Sequence, residues 1–226
     1  MKYCLLIAAS LLAGCALDSV SQIDLALPAK EFSIDASRWQ LDPAEVPAYL
    51  GTACETQTAC TLLAKDACDG HCTGTCDETN RCALILDVSL YSAVDLVMER
   101  PELRAIDDQP LIDVSIDGVT YDVTQSSLNI ATPPLTVYVA PASVTDPDDA
   151  AAIPVGTIPA LAPGALVSGA ALELTPAGRV ELARIMGTYK TPFNVMVAAT
   201  VTVGAGDALP EGRLDAVVNI RAHASL

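Results

Sequence analysis

Apolar residues in this chain recur at every second position more often than at helical spacing. Leu84, Leu86, Val88 and Leu90 alternate with Ile85, Asp87, Ser89 and Tyr91, which predicts a strand over 83–91. The same period of two marks Ile23, Leu25 and Leu27, then Phe32 and Ile34, as two strands flanking Pro28. Leu135, Val137 and Val139 form another strand, and Pro133-Pro134 in front of it assign its start to a sheet edge. Ile112, Val114 and Ile116 occupy one parity and Val119, Tyr121 and Val123 the other. Asp117-Gly118 between them reads as the type I′ turn of a hairpin. The longest alternations are Phe193 to Val203 and Leu214 to Ala222, and the Gly- and Pro-containing segment 204–213 predicts that they pair as one hairpin.

Helical signals are few. Thr175-Pro176 supplies a cap and a first-turn proline, Leu182, Ile185 and Met186 share a face, and Gly187 can end the helix. Asp42-Pro43-Ala44-Glu45 resembles a capping box, but Pro47 limits the expected helix to about one turn. A short helix is expected over 101–106, and residues 141–170 read as an extended connection with a short strand near 155–158. The fold class expected is mainly β: an antiparallel β-sandwich-like domain with one short helix and a disulfide-rich insert. No strand-helix-strand rhythm and no Gly-rich phosphate loop points to a nucleotide-binding α/β enzyme.

The insert, residues 52–83, holds Cys54, Cys60, Cys68, Cys72, Cys76 and Cys82 in a stretch rich in Gly, Asp and Thr. Such a segment has too few apolar residues for its own core. An even number of closely spaced cysteines in an exported chain therefore predicts three disulfides, with every pairing left open by the spacing. Gly70 and Gly74 suggest turns more than helix there. A zinc site using His71 is the competing reading, but paired C-x-x-C spacing is absent.

Export is predicted by the first fifteen residues. Lys2 precedes the apolar run Leu5 to Leu12, which is too short to span a bilayer and ends in Leu12-Ala13-Gly14-Cys15. This ending resembles the lipobox of bacterial lipoproteins. The resemblance implies cleavage of residues 1–14, acylation of Cys15, a tether over 15–22 and a single β-rich domain over 23–226. Ala16, where some family members carry an inner-membrane Asp, implies the outer membrane over the inner. Two or more acyl chains would hold such a protein stably on a membrane. Loss of Lys2 takes the formal charge of −16 to −17, and the sparse, scattered basic residues disfavour nucleic acid.

Catalytic signatures are absent, and no cofactor or resident metal is expected. Only His71 and His223 could carry protons near neutral pH, and His223 lies at the end of the last predicted strand. Asp107-Asp108 and Asp148-Asp149 are predicted loop carboxylates, and Asp146, Asp148 and Asp149 lack the spacing of an EF-hand calcium loop. The expected role is that of a lipid-anchored envelope module that binds or supports an unidentified envelope protein, rather than an enzyme. Two alternatives are a carrier of an apolar or lipid ligand between the sheets, and a hydrolase built from carboxylates alone.

Overall fold

A computed structural model describes residues 22–106 and 111–225. Cys15 with the segment around it, and Asp107-Asp108, lie outside the described residues.

Two antiparallel sheets form the body. In the first, β11 (Arg213–Ser225) is flanked on one side by β1 (Gln22–Asp24) and β2 (Lys30–Asp35) and on the other by β5 (Asp113–Ser126), with β8 (Val167–Ala171) beyond it. The second sheet runs in the order β3 (Thr73–Cys76), β4 (Cys82–Val94), β10 (Phe193–Val203), β6 (Leu135–Pro141), β7 (Ile153–Ile158), β9 (Glu173–Leu174). The alternation read from the sequence sends Leu84, Leu86, Val195 and Val197 inward from one sheet and Val123, Val218 and Ile220 inward from the other. Each such side chain stabilises the fold by roughly 1.5–3 kcal/mol on burial.

Beyond Ile85, β4 no longer has β3 beside it, so its outward carbonyls need other partners. β2 runs past this open edge. The Trp39 indole N–H donates to the Asp87 carbonyl at 3.2 Å, and the Lys30 ammonium reaches the Ala93 carbonyl at 3.5 Å and the Glu99 carboxylate at 2.5 Å. Side chains thus cap an edge that would otherwise invite another strand. On the opposite side the chain passes from β8 to β9 through buried Leu172, whose N–H donates to the Val119 carbonyl.

Four helices accompany the sheets among the described residues: α1 (Val46–Leu50), α2 (Gln57–Cys68), α3 (Leu96–Glu99) and α4 (Pro176–Gly187). The expected helix after Thr175 is α4, capped by the Thr175 hydroxyl on the Gly178 N–H at 2.8 Å. None of them is long and apolar enough to cross a membrane.

Four local expectations are corrected. Asp117-Gly118 makes no hairpin. β5 continues through it, and the parity change is a bulge, because Ile116 pairs with Ala222 and Gly118 with Arg221, leaving Asp117 as the extra residue. Phe193–Val203 and Arg213–Ser225 do not pair with each other. β10 belongs to the second sheet and β11 to the first, and 204–212 crosses between them. β6 is not an edge strand: it lies between β10 and β7, and Pro133-Pro134 cost no ladder bond because they precede Leu135. The helix expected from Asp42 keeps its expected length of about one turn but starts later, at Val46, so that Pro47 lies in its first turn, where a missing N–H costs nothing, rather than at its end.

Candidate functional site

The insert is built around sulfur. Cys54 bonds Cys76, Cys60 bonds Cys82 and Cys68 bonds Cys72, so first joins fifth, second joins sixth and third joins fourth. With all six sulfurs in disulfides, none is left as a thiolate for zinc. The helix α2, unforeseen in this polar stretch, turns Cys60, Ala64, Ala67 and Cys68 to its buried face. Gly74 on β3 lies flat against that helix, where a Cβ would collide with the Cys60 carbonyl and the Tyr49 hydroxyl. The Tyr49 hydroxyl donates to the Ala83 carbonyl at 3.1 Å, and burial pushes its pKa up to about 12. Asp77 ties the β3–β4 turn by accepting from the Thr79 and Arg81 N–H groups at 2.8 and 2.9 Å. These bonds hold its carboxyl below the usual range.

Where the insert meets the sandwich, two hollows lie on either side of β4 and share the wall Asp87 to Ser89. The smaller one, of about 170 Å³, has an apolar floor of Ile34, Trp39, Val88 and Leu90. Asp35, Arg38, His71 and Asp87 supply its charged and titratable lining. The 3-10 turn Ala36–Trp39 places Arg38 there, and this turn is capped by the Asp35 carboxylate on the Ser37 N–H at 3.0 Å and hydroxyl at 2.7 Å. Those bonds hold the Asp35 carboxyl below its usual range. The short Cys68–Cys72 loop places His71.

The larger hollow, of about 530 Å³, lies on the outer face of the second sheet beneath residues 142–150. Strand register sets its floor: Ser89 stands opposite Ala198 and Ala198 opposite Thr136, while Asp87 stands opposite Thr200. The loop above is held by Asn194, itself 1% exposed, whose amide donates to the Ala142 and Val144 carbonyls at 3.2 and 2.7 Å. Asp146 and Asp148 face the hollow from the loop, and Asp87 faces it from the floor with one oxygen accepting from Thr200 at 3.2 Å. The charged residues lining this hollow are all carboxylates.

Sequence reading singled out Asp146, Asp148 and His71 but had no reason to join them to a common cleft. It missed Asp87, Arg38, Trp39 and the anchoring Asn194. His223 lies elsewhere, on the outer face of the first sheet, with its Nδ1 at 2.8 Å from Asp117, which the β5 bulge turns toward it. Asp149 accepts from the Ala151 N–H and caps its own loop turn. No family model, no curated protein and no solved structure matches the chain.

Proposed function

We propose that this protein is a lipid-anchored binding module of a bacterial cell envelope, exported, cut before Cys15 and acylated there, with the outer membrane favoured over the inner. The observation that carries this reading is the short apolar run ending in Leu12-Ala13-Gly14-Cys15. Three disulfides in one small insert support it, since such bonds persist in oxidising compartments outside the cytosol. The binding surface is the double hollow across β4, where an apolar floor and a few converging polar groups meet at the junction of insert and sandwich. A carrier with its ligand between the sheets has less support, because the inward positions there pack against one another.

The test of the anchor is Cys15→Ser in cells fed a labelled fatty acid. Loss of label, with release of the protein from the membrane fraction, is expected. Undiminished labelling overturns the proposal.

A further inference from the structure

Two of the three bridges in the insert lie side by side. The Sγ atoms of Cys54, Cys60 and Cys82 are within 4.8 Å of one another, although Cys54 is bonded to Cys76 and Cys60 to Cys82. Backbone pairing explains the crowding. The Cys54 N–H donates to the Asn80 carbonyl and the Cys82 N–H to the Thr52 carbonyl, which sets 52–54 alongside the start of β4. α2 adds Cys60 from its buried face.

The fourth sulfur has a second partner at hand. Cys76 stands directly opposite Cys82 in the register of β3 and β4. Because the Asp77 N–H donates to the Arg81 carbonyl, Cys76 and Cys82 form the next, non-hydrogen-bonded pair of the ladder. Such pairs bring their Cα atoms to about 4.5 Å, inside the range of about 4.4–6.8 Å that a disulfide spans. The same four sulfurs therefore admit a second pairing, Cys54 with Cys60 and Cys76 with Cys82. Access to them is uneven: Cys54, Cys60 and Cys82 are buried, whereas Cys76 is half-buried. An incoming thiolate meets the cluster first at Cys76.

We propose that these four cysteines form a thiol-triggered bridge swap that unfastens α2 from β4 without net reduction. An external thiolate attacks the Cys76 sulfur, forming a mixed disulfide there and releasing Cys54 as a thiolate. Cys54 attacks the Cys60 sulfur: the Cys54–Cys60 bond forms, the Cys60–Cys82 bond breaks and Cys82 leaves with the electron pair. Cys82 then attacks Cys76 across the strand pair, forms Cys76–Cys82 and expels the external thiolate unchanged. The thiol acts as a catalyst, and two bonds are exchanged for two. In the swapped form one bridge joins α2 to the segment just before it and the other closes the β3–β4 turn, so no covalent bond ties the helix to β4. What still holds α2 to β3 is the contact with Gly74, the Thr61 hydroxyl on the Gly74 carbonyl at 3.0 Å and the Cys68–Cys72 bridge. The swap depends on neither the lipid anchor nor the hollows, so its failure leaves both readings standing.

The experiment incubates the disulfide-intact protein with a trace of reduced glutathione under native, mildly alkaline conditions, then alkylates, digests with trypsin and maps the bonds. Cleavage after Lys65 and Arg81 separates Cys54 and Cys60 from Cys76, and Cys76 from Cys82. The observed pairing keeps the three fragments linked. The swapped pairing frees the fragment that carries Cys54 and Cys60, with those two sulfurs joined and unalkylated. Release of that fragment is expected, together with faster amide exchange across α2 than across β10. Cys76→Ser provides a second measurement, since it leaves Cys54 unpaired with no thiol added. Its free thiol should be found divided between Cys54 and Cys82. Any of three results overturns the proposal: fragments that stay linked, a Cys76→Ser thiol confined to Cys54 or moved to Cys60, or bonds from Cys68 or Cys72 to the other four cysteines, which mark general unfolding.

Discussion

The sandwich and the insert solve the same problem by different means. Between the sheets, Leu, Val, Ile and Phe side chains exclude water, and the fold is held by burial over long ladders such as the one joining β10 to β4. The insert has almost nothing large and apolar to bury. Its inward residues are cysteines, small alanines and Gly74, and Leu62 and Leu63 of α2 point outward. Covalent bonds there replace the missing core by restricting the unfolded chain, and close approach of helix and strand does what bulky side chains do elsewhere. The lesson is local: a chain can carry a polar, exposed segment beside a strong core if it staples that segment to the core. Cys60–Cys82 is that staple, since it ties α2 to β4, and both sulfurs are inaccessible to solvent.

Changes to the sandwich should therefore cost most. Phe193→Ala, at a side chain 2% exposed, is expected to destabilise the protein by about 3–5 kcal/mol in urea unfolding. A loss below about 1 kcal/mol would mean that the sheets are not held by burial there. Removing the staple with Cys60→Ala and Cys82→Ala should cost about 2–4 kcal/mol. Near-ultraviolet signals of Tyr49 should be lost before those of the sandwich, and simultaneous loss would erase the distinction between the two regions.

Gly74→Ala should cost about 1–3 kcal/mol in the same assay, because the added methyl meets a carbonyl and a hydroxyl. Removal of Cys68–Cys72 should be milder than loss of Cys60–Cys82 by about 1.5 kcal/mol on chain entropy, since the separations are 4 and 22 residues. Its sharper effect should fall on the placement of His71 at the smaller hollow.

The smallest effects are with pH, and the two ends of the scale act oppositely. Burial raises the Tyr49 pKa to about 12 in the folded protein, so its contribution is complete below the ordinary tyrosine range and is lost as pH climbs toward 12. Absorbance titration should show one phenol ionising late. Asp77 is depressed, chiefly by the Arg81 and Thr79 hydrogen bonds, so its contribution is present above the ordinary carboxylate range and disappears as pH falls through the lowered value. Asp77→Ala should flatten the acid limb of a stability profile, and an unchanged limb would contradict the turn's dependence on it.

Most of the sandwich was legible because a period of two survives any connection between strands. The connections were less so. A parity change at Asp117-Gly118 fits either a turn or a bulge, and only the partner strand β11 decides, by pairing with both halves of β5. The hairpin expected from β10 and β11 failed for a related reason: a loop over 204–212 long enough to turn back is also long enough to change sheets. Within the insert the helical stripe Cys60, Ala64, Ala67, Cys68 is present at i, i+4, i+7 and i+8, but the cysteines suggested staples and Gly70 and Gly74 suggested turns, so the buried face was missed. The cleft had no signal in the spacing at all. Arg38, His71, Asp87 and Asp148 are brought together by strand order, a disulfide loop and an asparagine that pins a distant turn.

The central claim is that this is an exported, acylated protein with an oxidised insert, and intact-mass spectrometry of the protein extracted from its own membranes tests it most directly. The expected species begins at Cys15, carries added fatty-acyl mass and takes up no thiol-alkylating reagent until reduced, after which the six insert cysteines react. A chain that keeps Met1, bears no acyl mass and alkylates without reduction would contradict it.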